Sequence, residues 1–194
     1  MLTLPRSLSL TPDQFAQVCA ANPEAVLELA ADGTLIEMTP TGGNTSARNS
    51  ALLFQLQSWA RTVDGWIVFE SSAGFRLADG SVRSPDASLV RLDRWRALSE
   101  AEREGFPPLC PDLVVELASP SDQLEPLRQK MASYISNGAR LGWLLLPRRR
   151  TVEVWSSDPA TQAARFSVLS DASRLEATAE FPGLVIELEQ IWAG

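Results

Sequence analysis

The run Leu113-Val114-Val115, entered through Pro111-Asp112 and left through Glu116-Leu117, constrains the chain more than any other stretch. Its apolar positions are consecutive instead of alternating, which predicts a strand covered on both faces and therefore central to an α/β sheet. Such a strand needs helices above and below it, and 194 residues supply them in one domain without disulfides or a structural metal. We expect a single domain over 1–194. Glu116 ends the apolar run, and a carboxylate there must be paired, hydrogen-bonded or metal-bound if it is buried.

The elements around this strand follow from local signals. Thr11-Pro12-Asp13-Gln14 reads as a capped helix start running to about Ala21. Asp32-Gly33 between two apolar runs, 26–30 and 34–38, predicts an antiparallel hairpin. After the break at 39–44, Thr45 or Ser46 is placed to cap a long helix with Leu52, Leu53, Leu56 and Trp59 on one face. Strands are expected at Trp66–Glu70, Gly74–Leu77 and about Pro85–Val90, then a surface helix over Asp93–Glu104.

Beyond the central strand, Ser119 to Asp122 opens a helix whose stripe is Leu124, Leu127, Met131, Tyr134 and Ile135, ended by Asn137-Gly138. Lys130 lies at the edge of that stripe, so its stem packs while its amine is left free. The runs 142–146 and 151–155 flank Pro147 and three arginines, a hairpin with a basic tip. Short strands near 166–169 and Leu175 and a terminal helix over Glu187–Trp192 complete the pattern.

Composition excludes more than it suggests. There is no histidine, which removes Ser-His and Cys-His hydrolysis, most zinc hydrolase sites and every nuclease with a histidine base. Carboxylate and lysine chemistry remains. Cys19 and Cys110 are too few for a disulfide framework and lack C-x-x-C spacing, so both read as reduced thiols. The net charge of −7 argues against a nonspecific nucleic-acid coat but leaves room for a local basic groove. No apolar run is long enough to cross a bilayer, and residues 1–10 show no leader, so a cytoplasmic protein is expected.

What remains can be assembled. The two-residue period puts Asp86, Ser88 and Val90 on one face of their strand, and Asp112, Val114 and Glu116 on one face of theirs. Pairing of these two strands would align Asp86 with Glu116, two hard oxygen donors for a divalent metal, with the Leu117 carbonyl as a third. A nearby lysine would orient water and stabilise charge on a phosphate.

These residues resemble the restriction-endonuclease-like branch of the PD-(D/E)XK nuclease superfamily. The resemblance runs through Leu27-Glu28, Asp32-Gly33, 39–43 with Arg48-Asn49, 71–77, Arg83-Ser84-Pro85-Asp86, 106–122, Lys130, Tyr134, 137–139 and Gly142-Trp143, with a weaker ending at 182–184. It implies an α/β fold, a mixed central sheet flanked by helices with an added amino-terminal hairpin, and a Mg2+- or Mn2+-dependent endonuclease acting on DNA. By the resemblance, Asp86 and Glu116 are metal ligands, Lys130 is the catalytic lysine and Glu28 is an accessory acid. In the simplest E-x-K arrangement the lysine stands two residues after the glutamate. That position is Ala118 here, and Lys130 on the following helix takes its place, as in migrated-lysine variants. Members often carry a histidine in the loop after the second strand, where this chain has Asn44 and Asn49.

Several readings stay open side by side. Asp86 after Ser84-Pro85 also fits a turn cap, and Glu28 and Glu37 on facing strands also fit surface carboxylates. Arg48 and Arg83 are the candidate phosphate contacts. Arg148, Arg149 and Arg150 read either as DNA contacts or as a charged edge turn that blunts aggregation. The alternative to an enzyme is a noncatalytic DNA-binding or assembly protein that keeps the nuclease scaffold. Cleavage of both strands would call for a homodimer, with the tryptophan-containing strands as an isologous interface.

Overall fold

The structure is a computed structural model that describes residues 9–193; the stretch read above as carrying no leader lies largely outside the described residues. Thr11 caps helix α1 (Pro12–Ala21) with a reciprocal bond pair to Gln14. The hairpin β1 (Val26–Leu29) and β2 (Leu35–Met38) turns through Gly33, whose φ of 82° suits glycine. Helix α2 (Gly43–Ala60) starts earlier than expected, with Gly42 at its cap, so neither Thr45 nor Ser46 caps it. Thr45 is instead buried on the helix's inner face with Leu52, Leu56 and Trp59.

Next come β3 (Trp66–Glu70), β4 (Phe75–Arg76), β5 (Val82–Arg83) and β6 (Ala87–Arg91). The strand expected over about Pro85–Val90 is β6, which begins two residues later with Asp86 just before it, and β5 is a further short strand. Pro85 fits the late start, because it has no N–H to give to a ladder. The expected surface helix is divided, into α3 (Leu92–Arg96) and α4 (Glu100–Glu104), because Ser99 caps a new start. The central run is β7 (Leu113–Leu117), followed by α5 (Leu124–Ser136), β8 (Leu141–Leu146), a single 3-10 turn over Pro147–Arg149 and β9 (Thr151–Ser157). The chain closes with β10 (Ala164–Ser170), β11 (Arg174–Glu176), β12 (Val185–Glu187) and α6 (Glu189–Trp192). Strand β12 occupies the start of the expected terminal helix.

The main sheet is mixed and six-stranded, in the order β10-β9-β8-β7-β6-β3, with only β7 and β8 parallel. Strand β7 is therefore interior and wholly buried, as its unbroken apolar run requires. Its residues face two cores. Leu113, Val115 and Leu117 pack with Leu52, Leu56 and the carboxyl-terminal elements, whereas Val114 packs with Met131, Tyr134 and Ile135 of α5. On β8, a Cβ at Gly142 would stand 2.5 Å from the Met131 methyl, so the Met131 side chain fills the space that glycine leaves.

The amino-terminal hairpin joins a separate four-stranded sheet, β2-β1-β5-β4, through the pairing of Leu29 with Val82. This pairing carries Glu28 to the segment that precedes Asp86. Of the tryptophans on strands, Trp143 is fully buried, Trp155 is 4% exposed and Trp66 is half-buried against Trp59 and Phe181, so they offer little surface for the expected interface. The exposed apolar residues Phe166 and Val168 lie on the edge strand β10 instead. Both cysteines are free thiols. Among the described residues, no helix is long and apolar enough to cross a membrane.

Candidate active site

Strands β6 and β7 pair antiparallel with Ser88 opposite Val114 and Ala87 opposite Val115. One step further along this register brings Asp86 beside Glu116. The Leu117 N–H, instead of continuing the ladder, donates to Asp86 Oδ2 at 2.7 Å and fixes the carboxylate. The N–H and C=O of one strand residue point to the same side, so the Leu117 carbonyl is turned toward Asp86 as well. Asn49 Nδ2 on α2 donates to Asp86 Oδ1 at 3.3 Å.

Helix α5 brings Lys130 across the end of β7. Its amine is not free, contrary to the expectation from its helical position, because it stands 2.8 Å from both Glu28 Oε1 and Glu116 Oε1. It also donates to the Ser84 carbonyl at 3.3 Å. One turn on, the Tyr134 hydroxyl donates to Glu116 Oε1 at 3.0 Å. Helical periodicity placed Lys130 at the border of the apolar stripe, but the two acids it meets come from other strands, at positions that its own helix does not specify.

Glu28 is 2% exposed, which removes the surface reading, and its neighbour across the hairpin is Ile36, not Glu37. Its carboxylate accepts from Ser84 N–H at 2.9 Å and pairs with Arg83 at 3.0 Å as well as with Lys130. Arg83 is thus tied to Glu28 at the cleft wall. Arg48 Nε donates to the Ile191 carbonyl at 2.9 Å, and Arg48 does not line the cleft that Asp86, Glu116 and Lys130 share. That cleft measures about 1090 Å³ and is bounded by the amino-terminal hairpin on one side and the start of α5 on the other.

Three carboxylates and two cations meet here, and they titrate differently. Burial works to raise the pKa of Glu28, but Lys130, the Ser84 N–H and Arg83 outweigh it and hold the group below its ordinary value. Burial works against the Lys130 ammonium, but Glu116 and Glu28 outweigh it and its pKa is raised. Glu116 is pushed up to about 8 by burial and by repulsion from Asp86 and Glu28, despite Lys130. Asp86 is also raised, by burial that the Leu117 N–H and Lys130 only partly offset. The arrangement consistent with all four is an ionised Glu28–Lys130 pair beside a Glu116 that takes up a proton near neutral pH.

A divalent cation suits this donor set. The oxygens are hard, the three carboxylates outnumber Lys130 and Arg83 so that a cation would bind with loss of the Glu116 proton, and Asn49 Oδ1 is buried beside them with no hydrogen-bond partner among the described residues. No group of three or more His, Cys, Asp or Glu side chains among the described residues is arranged to hold a metal. Sequence reasoning missed Asn49 as a partner of Asp86.

A mixed sheet flanked by helices, with acids at the adjoining ends of two paired strands and a lysine on the next helix, is the restriction-endonuclease-like class of fold. Within it, the chain belongs to the Uma2 family, described as "Putative restriction endonuclease", whose model matches residues 12–189. A similar solved structure is that of "a putative nuclease belonging to DUF820 from Anabaena variabilis ATCC 29413", with a TM-score of 0.74 at 20% identity, covering 95% of this chain and 98% of that one. No curated protein matches the chain.

Proposed function

We propose that the protein is a metal-dependent endonuclease that hydrolyses DNA phosphodiester bonds with Mg2+ or Mn2+ from one catalytic domain over 1–194. The observation that carries this reading is the meeting of Asp86, Glu116 and Lys130 on a wide cleft in a chain of a family described as restriction endonucleases. Asp86, Glu116 and the Leu117 carbonyl would hold the cation, which would supply a Lewis acid for the phosphate and a means of activating water. The Leu117 N–H keeps Asp86 oriented. Lys130 has a raised pKa and stays charged at neutral pH, so its role is to stabilise negative charge growing on the phosphate, not to act as a base. Glu28 is a positioning residue that holds Lys130 and Arg83 from the hairpin side. Cleavage of plasmid DNA with magnesium or manganese tests the reading. Asp86→Ala and Glu116→Ala are each expected to lose activity by at least about a hundredfold, and cleavage unchanged in either variant would sink it.

A second reading, a noncatalytic DNA-binding scaffold, draws on the lysine already seated against Glu116. Manganese calorimetry separates the two, because heat lost on Asp86→Ala belongs only to the enzyme. Cutting both strands needs two centres, so the proposal includes a symmetric homodimer. Sedimentation that finds only monomer at micromolar concentration would remove that part.

A further inference from the structure

We infer that the cleft continues into a second subsite beneath the β8–β9 tip, where Arg148 and Arg149 hold a backbone phosphate of the nucleic-acid strand adjacent to the one being cut. This rests on the endonuclease reading and extends it. A depression of about 400 Å³ lies there, within the size range of small-ligand clefts, and it shares Ser119, Pro120, Asp122 and Leu127 with the main cleft. The two hollows therefore adjoin at the loop that leaves β7. Strands β7 and β8 are parallel with Leu117 opposite Leu145, so the tip that follows β8 stands beside the same strand end that carries Glu116. Crevices outside the carboxyl ends of parallel strands are the usual ligand positions in α/β sheets.

The three arginines divide by role. Arg150 has φ 49°, and its guanidinium is pinned by Asp171 at 3.3 Å and Glu189 at 2.9 Å, which anchors the tip. Arg148 and Arg149 are exposed on the 3-10 turn, line the depression and make no ion pair among the described residues. Blunting of a sheet edge does not account for them, because β8 and β9 are interior strands and the sheet's edges are β10 and β3. The remaining wall is apolar, from Leu124, Leu146 and Pro147, and can take the face of a sugar or base while the guanidinium groups take the phosphate. Asp122 is the one carboxylate on the wall, and its Oδ2 accepts from the Ser119 N–H at 2.7 Å.

The test compares wild type with an Arg148→Ala/Arg149→Ala double variant. Anisotropy of a labelled DNA duplex is titrated with protein across a salt series, with calcium in place of magnesium, and cleavage is followed separately with magnesium. Expected are affinity at low salt weaker by about tenfold or more and a salt slope shallower by roughly 0.9 per lost contact. KM should rise with kcat within about twofold, because the phosphate held is not the one being cut. Melting temperature should hold, because both side chains are exposed, and Arg96→Ala/Arg103→Ala, equal in charge removed but outside both clefts, should bind as wild type does. Wild-type affinity and slope in the Arg148/Arg149 variant overturn the subsite while leaving the nuclease standing. Wild type that binds DNA through these arginines but never cuts it overturns the nuclease and leaves the subsite, and wild type that does not bind DNA overturns both.

Discussion

Strand β7 carries two buried acids on one face, Asp112 just before it and Glu116 near its end, and their surroundings are opposite. Asp112 has its side chain 1% exposed, accepts the Arg91 N–H at 2.9 Å and meets Arg94 at 2.9 Å and Arg140 at 3.5 Å. Its own N–H and C=O also join β6 and the start of β8. Glu116, 6% exposed, shares a single lysine with Glu28 and lies beside Asp86. Both positions bury a carboxylate equally well, so burial alone does not separate a clamp from a site. The balance of charge does: donors and cations surround Asp112, whereas acids outnumber cations around Glu116.

Substitutions that remove only the charge sharpen this contrast. Glu116→Gln is expected to lose DNA cleavage by at least about a hundredfold while folding as well as wild type or better, since a buried group that resists ionisation is replaced by a neutral one. Asp112→Asn is expected to do the reverse, losing about 2 kcal/mol of stability, because arginines and a backbone N–H lose their charged partner, while the folded fraction still cuts DNA. Denaturant melts and cleavage rates on the same preparations check both. If the two variants lose activity and stability in the same proportion, the division of β7 into a clamp and a site fails.

A further effect is expected from pH. Glu116 has a folded pKa of about 8 against an ordinary 4.5, so it binds more protons folded than unfolded. Its contribution to stability is therefore fully present below about pH 4.5 and is lost as pH rises toward and through 8. Glu28, held low, contributes with the opposite sign, and its share is lost only as pH falls below 4.5 through its depressed value. Between these limits wild type should lose stability relative to Glu116→Gln steadily as pH rises, without divalent metal, read from urea midpoints at several pH values. A gap that stays constant from pH 5 to pH 8.5 would show that Glu116 ionises normally in the folded chain.

Much of this was legible in local sequence. The unbroken run 113–115 marked a central strand, Asp32-Gly33 marked the hairpin, and the two-residue period put Asp86 and Glu116 on matching faces before any pairing was known. The lack of histidine narrowed the chemistry to carboxylates and lysine. Element boundaries near Pro85 and Ser99 were less legible, because a missing N–H delays the start of a strand and a single cap divides a helix that periodicity alone runs together.

The sequence by itself determined which segments are strands and helices and which face of each is apolar, because these properties depend on neighbours two to four residues apart. Only the tertiary structure decided that Glu28 is buried against Arg83 and Ser84, 55 and 56 residues away. It alone bound the Lys130 amine between two acids and turned Arg48 to Ile191. It also made Asp112 a clamp. Those outcomes depend on strand order and on which chain ends meet, and a buried carboxylate takes its character from the charges that topology brings to it, not from its own position in the pattern.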